Sequence, residues 1–161
     1  MTTKEAFTEE EWARLERAPI IASMAISLAD PGGPIEAVKE SMAAIKSIRE
    51  AAGSADSPEL VKGVAASAAE KMQNRQNPVK DFRPKGALAG QEILDELRAV
   101  NKLVTQKASP EEAAAFREWL LTTAQEAANA AKEGGFLGWH AERVSEGEQR
   151  MLDSLKEALS A

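Results

Sequence analysis

Apolar residues recur every three or four positions along most of the chain, which is the period of an amphipathic α-helix. The clearest stripe lies in a helix predicted from about Leu88 to Lys107, and it consists of Ile93, Leu97, Val100 and Val104. No segment alternates apolar and polar residues as a half-buried strand does, and Ala, Glu and Lys dominate the chain. The pattern predicts an all-α fold, a single-domain bundle of about six helices over residues 1–161.

Three capping boxes mark predicted helix starts. In a capping box, a Ser or Thr hydroxyl and the carboxylate of a Glu three residues later accept hydrogen bonds from backbone N–H groups of the first turn. The pairs are Thr8 with Glu11, Ser109 with Glu112, and Ser145 with Glu148. Phe7 and Trp12 flank the first pair at the two positions of a hydrophobic staple. Helix starts also explain the clustered carboxylates, because the helix dipole favours negative charge there.

Prolines and glycines divide the pattern into segments. Pro19 lies inside the first stripe, so we expect a kink or a break near Arg17–Ala18. The second helix is predicted from Pro34 to about Gly53. Its apolar stripe consists of Ile35, Val38, Met42 and Ile45, with Ile48 and Ala52 on a neighbouring row. We expect such stripes to meet in one shared interior.

One sequence order occurs twice: a capping box, a long helix, a Gly–Gly pair and a shorter helix. The first copy begins at Thr8 and the second at Ser109. Two interpretations are open. Either the bundle contains two pseudo-repeated helical hairpins, or capping chemistry recurs as it does in any helical protein.

Residues 73–86 interrupt the helical pattern. They contain two prolines, one glycine and no apolar period, so they are predicted to form a connector. This connector is basic within an acidic chain, through Arg75, Lys80, Arg83 and Lys85. The basic patch is interpreted either as a site for an anion or an acidic partner, or as a solvated loop.

Composition and charge exclude several classes of function. The formal net charge is −6, which argues against nucleic-acid binding because phosphate recognition requires a cationic surface. The absence of cysteine excludes disulfides, thiol catalysis and Cys-ligated zinc. Roughly a fifth of the residues are alanine, far above ordinary usage, so we expect thin, closely packed helices.

The longest apolar run, Ile20 to Ala29, is too short to span a bilayer, which requires about 20 residues. Acidic residues and no basic region precede it, so we do not expect a signal peptide. A cytoplasmic location is therefore the default expectation. Peripheral membrane contact and the oligomeric state are left open by the sequence.

The most unusual segment is Glu133–His140, where three glycines bracket three large apolar residues, Phe136, Leu137 and Trp139. These side chains are interpreted either as a contact site for a protein partner or as a plug that covers one end of the core. The only histidine, His140, cannot form a catalytic triad without a marked nucleophile. It could bind a divalent metal ion together with carboxylates nearby, namely Glu142, Glu146 and Glu148.

Several segments together resemble a family of uncharacterised bacterial all-helical proteins: residues 7–12, 29–33, 39–41, 133–138 and 144–148. That resemblance implies an all-helical fold. Val144, Ser145, Glu148 and Leu152 are also similar to the second part of the motif of the tellurite-resistance TerB-like family. This second resemblance implies a helical, acidic protein linked to metal stress.

Together these features predict a non-enzymatic helical module that acts through protein contacts, with an association to stress. No catalytic residue and no cofactor are expected. Two alternatives come from other classes of function. The first is a divalent-metal-binding, TerB-like protein, and the second is a carrier of a small molecule or lipid with a cavity between alanine-lined helices.

Overall fold

The fold consists of six α-helices in the parts of the chain that the structure describes. The computed structural model describes residues 1–29, 34–132 and 144–160. The helices are α1 Glu9–Ala29, α2 Pro34–Gly53, α3 Glu59–Gln73, α4 Ala89–Lys107, α5 Pro110–Lys132 and α6 Glu146–Ala158, with short 3₁₀ turns at Lys4–Ala6 and Gly86–Leu88. These ranges contain no strand, so the predicted all-α class and number of helices are confirmed.

The first two predicted capping boxes are formed in full. Thr8 Oγ1 accepts a hydrogen bond from the backbone N–H of Glu11 at 3.1 Å, and the Glu11 carboxylate accepts one from the Thr8 N–H at 2.8 Å. Ser109 and Glu112 make the same two hydrogen bonds at 3.2 and 3.4 Å. These satisfied N–H groups fix where α1 and α5 begin.

Helix α1 contacts each of the other five helices, as α5 also does, so both lie centrally in the bundle. The buried side chains of α1 therefore point in many directions, and the fully buried ones include Leu15, Ala18, Ile21, Ala22, Ala25 and Ile26. Half of these are alanine, and a short side chain lets a neighbouring helix approach closely. Helix α4 runs antiparallel to α1, as two ion pairs along their interface show: Arg17–Glu96 and Glu11–Lys107.

Of the kink or break that was predicted near Arg17–Ala18, the break does not occur, and that part of the prediction is wrong; the kink stays a prediction. Helix α1 is continuous from Glu9 to Ala29, with Pro19 buried inside it. Proline removes a backbone donor from the helix interior, which costs about 3 kcal/mol in an isolated helix. Packing of α1 against the other five helices, with Pro19 itself buried, offsets this loss.

Helix α2 turns two of its large apolar residues outward, contrary to expectation, whereas Ile48 is buried. Val38 and Met42 were expected to face the interior, but they are 58% and 62% exposed. Four of the six buried positions described in α2 are small, Ala43, Ala44, Ser47 and Ala51, and the other two are Glu40 and Ile48. These small residues let α2 lie close to α1 and α5, and Val38 and Met42 then face the solvent. The side chain of Ile35 lies outside the described residues.

The N-terminal segment is hydrogen-bonded to the first turn of α5, close to the end of α4. The Thr2 backbone N–H donates to one carboxylate oxygen of Glu112 at 2.8 Å, and the Thr2 hydroxyl donates to the other at 2.5 Å. The rings of Phe7 and Trp12 lie 5.6 Å apart, which confirms the predicted hydrophobic staple. Lys107 Nζ lies 5.7 Å from the centre of the Phe7 ring.

The start of α6 lies against the end of α1. The Ser145 hydroxyl accepts a hydrogen bond from the backbone N–H of Glu148 at 3.2 Å, so the predicted cap is formed. A Cβ atom added to Gly147 would lie 2.6 Å from the carbonyl oxygen of Ala29, which excludes any larger residue without movement.

The predicted connector is also observed, as turns and irregular structure between α3 and the second 3₁₀ turn. The predicted duplication stays a prediction, because Gly134 and Gly135 lie outside the described residues.

We expect Ala22→Leu to lower the free energy of unfolding by about 1–3 kcal/mol, because the central helix has no room for a larger side chain. Ala114→Leu on the exposed face of α5 is the matched control, with a change below about 0.5 kcal/mol. Urea denaturation followed by circular dichroism measures both values. Equal effects of the two substitutions would contradict the close packing around α1.

We expect Glu112→Gln to destabilise the fold by about 1 kcal/mol at neutral pH. Burial raises the pKa of Glu112, but hydrogen bonds from Thr2 and Ser109 outweigh that effect and lower it from 4.5 to about 2. Ionised Glu112 therefore stabilises the fold fully above pH 4.5, and this contribution is lost as the pH falls through about 2. The difference between the native protein and the variant should shrink over that range.

Urea denaturation at a series of pH values measures this difference. Glu111→Gln removes the same charge from the exposed neighbouring position and is the control. A difference between the native protein and Glu112→Gln that is as large at pH 2 as at neutral pH would show that the Thr2–Glu112 contact contributes nothing through ionisation.

Candidate functional site

The apolar segment that the sequence proposed for partner contact lies outside the described residues, including Phe136, Leu137 and Trp139. Two of the proposed metal ligands, His140 and Glu142, also lie outside them. The other two are described, and they differ in environment: the Glu146 side chain is exposed and Glu148 is buried. Within the described ranges, no group of three or more His, Asp or Glu residues is arranged to hold a metal ion.

The basic residues of the connector contact different parts of the molecule, and the basic patch stays a prediction. Lys80 lines a cleft between α1 and α3, whereas Arg75 lines a groove between α1 and α2. Arg83 lines a shallow depression beside acidic residues of α4. Lys85 contributes its backbone N–H, which donates to the Glu92 carboxylate at 3.1 Å. The connector therefore distributes its positive charge over several surfaces.

The cleft between α1 and α3 has a buried carboxylate at its base. Glu16 is only 1% exposed, and its two oxygens accept hydrogen bonds from the Ser67 hydroxyl and the Lys71 ammonium group. The indole N–H of Trp12 donates to the same Ser67 hydroxyl at 3.2 Å. These four side chains form a continuous polar network that joins α1 to α3.

This cleft has a volume of about 450 Å³, and its charged lining is mixed: Lys4, Lys71 and Lys80 with Glu9, Glu16, Glu70 and Asp81. Both oxygens of Glu16 are already engaged by groups of the protein. A buried carboxylate that lost its cationic partner would be strongly destabilising. We therefore interpret the network as a structural contact that holds α1 and α3 together.

A second polar network joins α2 to α5 in the same manner. The indole N–H of Trp119 donates to Ser47 Oγ at 3.0 Å, and Ser47 Oγ lies 2.7 Å from Thr123 Oγ1. Ser47 and Thr123 are buried, so each needs a hydrogen-bond partner inside the protein. Both tryptophans of the described chain thus combine an apolar ring with a hydrogen bond to serine on a neighbouring helix.

The groove between α1 and α2 differs from the cleft in being mainly apolar. It has a volume of about 520 Å³, and residues 75–79 of the connector form part of its lining. The larger apolar side chains that line it are Ile20, Met24, Ile45, Met72 and Val79. All five are only partly buried, so they retain surface that a ligand or a partner could cover.

Among the described residues that line this groove, the charged ones are Arg49 and Arg75. Arg75 follows the end of α3 with φ = 58°, the left-handed conformation that favours glycine. The N–H of Arg75 donates to the carbonyl of Met72, and the N–H of Gln76 donates to that of Lys71. This is the Schellman pattern of helix termination, in which glycine usually occupies the position of Arg75. A non-glycine residue there costs about 1 kcal/mol.

The groove continues onto the solvent-facing side of α2. Val38, Met42, Ile45 and Arg49 follow one another at spacings of about one helical turn, so they form a single row along the helix. Leu28, one turn after Met24 on α1, is also exposed. We call this region the α1–α2 surface; it comprises Ile20, Met24, Leu28, Val38, Met42, Ile45, Arg49, Met72, Arg75 and Val79.

Comparison of the chain with family models, with curated proteins and with solved structures finds no match. The resemblances to an uncharacterised bacterial helical family and to the TerB-like family stay predictions. None of the described helices is both long and apolar enough to cross a membrane.

We expect Lys71→Met to lower the free energy of unfolding by about 2 kcal/mol, because it leaves the Glu16 carboxylate buried without its cation. In the Lys71→Met background, Glu16→Gln should cost less than it does alone, since no buried charge remains to be paired. Thermal and urea unfolding of the double-mutant cycle measure this coupling. Lys62→Met, earlier on the same helix, is the control. Strictly additive effects would contradict a stabilising interaction between Glu16 of α1 and Lys71 of α3.

Proposed function

We propose that this protein is a non-enzymatic protein-interaction module, and that the α1–α2 surface binds an amphipathic helix of its partner. The observation that carries the proposal is the outward row of large apolar side chains on α2. Val38 and Met42 are more than half exposed, and they adjoin an apolar groove of about 520 Å³. Contiguous apolar surface of this kind is typical of interaction sites.

The shape of the surface supports a helical partner. A groove between two helices accepts the side chains of a third helix, which presents apolar residues at intervals of three and four positions. A small molecule held inside the groove would leave Val38 and Met42 in water. A helix that lies along α2 would cover both the groove and the exposed row.

Magnitudes show that the groove must take part in binding. Covering the exposed halves of Val38 and Met42 contributes roughly 1–2 kcal/mol each. Association costs at least about 4 kcal/mol in lost freedom, so these two residues alone give no stable complex. Side chains of the partner must therefore enter the groove and contact residues such as Met24, Ile45 and Met72.

The proposal differs in its residues from the one drawn from the sequence. That prediction placed the contact site at Phe136, Leu137 and Trp139, which lie outside the described residues. The α1–α2 surface is defined by described residues alone. It offers the same kind of function through side chains whose exposure is described.

We expect the native protein to enrich binders from a displayed library of amphipathic peptides about five helical turns long. The double variant Val38→Ser/Met42→Ser should bind the enriched peptides at least about tenfold more weakly, because two apolar contacts are lost. Titration with fluorescent peptides measures the affinities. Leu88→Ser is the matched control, since Leu88 is a large apolar residue that is 69% exposed elsewhere on the surface.

Three outcomes would contradict the proposal. One is that no peptide is enriched. Another is that the enriched peptides bind the double variant as tightly as they bind the native protein. The third is a dimer of the native protein that Val38→Ser/Met42→Ser abolishes, since a second copy of the chain would then cover the surface. Size-exclusion chromatography with light scattering detects that dimer.

A further inference from the structure

We infer that the partner helix is acidic, and that its carboxylates pair with Arg49 and Arg75 at the edge of the groove. This inference rests on the proposed function, because it names the chemistry of the helix that the α1–α2 surface binds. It is carried by the distribution of charge over the clefts of the molecule and by the position of Arg75 in the chain.

The groove is the exception among the clefts of an acidic protein. The chain has 26 acidic and 20 basic residues, yet the described residues that line the groove include two arginines and no carboxylate. The cleft between α1 and α3 combines three lysines with four carboxylates. The depression at Arg83 is lined by Glu92, Asp95 and Glu96 as well. Only the groove, among these three described clefts, is left with uncompensated positive charge.

Neither guanidinium is neutralised inside the protein. Among the described residues, no carboxylate lies within ion-pair distance of Arg49 or Arg75. Both side chains are exposed, and a guanidinium group is suited to bidentate pairing with a carboxylate. The two arginines are therefore available to a partner that brings its own negative charge.

The rest of the outward side of α2 has the same character. Lys39 and Lys46 lie beside the row of Val38 and Met42, and the row itself ends in Arg49. Lys46 is partly compensated, since its Nζ lies 3.7 Å from a carboxylate oxygen of Glu50. An apolar row with basic flanks is complementary to a helix that has an apolar stripe with acidic flanks.

The backbone at Arg75 points to a role for its side chain. Local structure favours glycine at this position, because φ is 58° and the Schellman pattern ends α3 here. Folding of the helix end therefore does not require arginine. Pairing with a ligand at the groove explains why a charged residue occupies a position that is unfavourable for it.

A protein helix fits this surface better than an anionic membrane. A bilayer presents a flat interface, which leaves a concave groove of about 520 Å³ unfilled. The net charge of −6 also opposes the approach of the whole molecule to an anionic bilayer. A single helix can place its carboxylates at the two arginines without bringing other surfaces close.

The test uses three peptides that share one apolar stripe and carry Glu, Gln or Lys at the flanking positions. The proteins are the native chain, Arg49→Glu/Arg75→Glu, Arg75→Gly and the control Arg83→Glu. We expect the native protein to bind the Glu peptide at least about tenfold more tightly than the Lys peptide, with a preference that weakens as salt rises. The double charge reversal should invert this preference, and the control should leave it unchanged.

Arg75→Gly separates binding from folding. Glycine suits the left-handed backbone, so this variant should be at least as stable as the native protein towards urea. It should nevertheless bind the Glu peptide more weakly. Chemical-shift changes in ¹⁵N spectra of the native protein should map the bound peptide to α1, α2 and the end of α3.

Each failure has a distinct meaning. If the Gln peptide binds at this surface as tightly as the Glu peptide, the inference that the partner helix is acidic is wrong, and the proposed function stands. If the Glu peptide binds elsewhere on the protein, or none of the three peptides binds, both are overturned. If the native protein binds vesicles containing phosphatidylserine but none of the peptides, the surface recognises an anionic membrane instead.

Discussion

The central position of α1 is the constraint on which the rest of the structure depends. Because α1 packs against five other helices, every residue from Trp12 to Ser27 is buried or only partly exposed. Alanine at Ala18, Ala22 and Ala25 keeps the neighbouring helices close. The polar residue Glu16 must then find its partners inside the protein, and Ser67 and Lys71 of α3 supply them. Close packing and internal pairing are thus two consequences of one arrangement.

The candidate interaction surface follows from the same arrangement. Small residues of α2 face α1 and α5, so the bulky residues Val38 and Met42 have no place in the interior. Exposing them costs free energy in the isolated chain, and a partner that covers them would recover it. The connector lines part of the groove beside them and contributes Arg75 to it. A surface that combines apolar and basic side chains is in this way produced by how the bundle is packed.

Local features of the fold could be predicted from the sequence with little error. The capping boxes at Thr8 and Ser109 form as expected, because their hydrogen bonds join residues only three positions apart. The candidate site could not be predicted to the same degree. The stripe through Val38 and Met42 satisfies the helical period, but periodicity does not state which face of α2 the neighbours will cover. Glu16 lies four residues after Trp12, so both lie on the same face of the first helix. That spacing was the one sequence feature that could have identified Glu16 as a buried carboxylate.

The sequence by itself determined the helical class, the starts of the helices, the connector and the acidic character of the chain. Each of these depends on interactions within a few residues or on composition alone. Only the tertiary structure decided that α1 is central, that Pro19 leaves it unbroken, and that α2 turns Val38 and Met42 outward. Such outcomes depend on the volumes of side chains from helices far apart in the chain. These side chains come into contact only when the helices pack against one another, so no local sequence pattern predicts how they fit together.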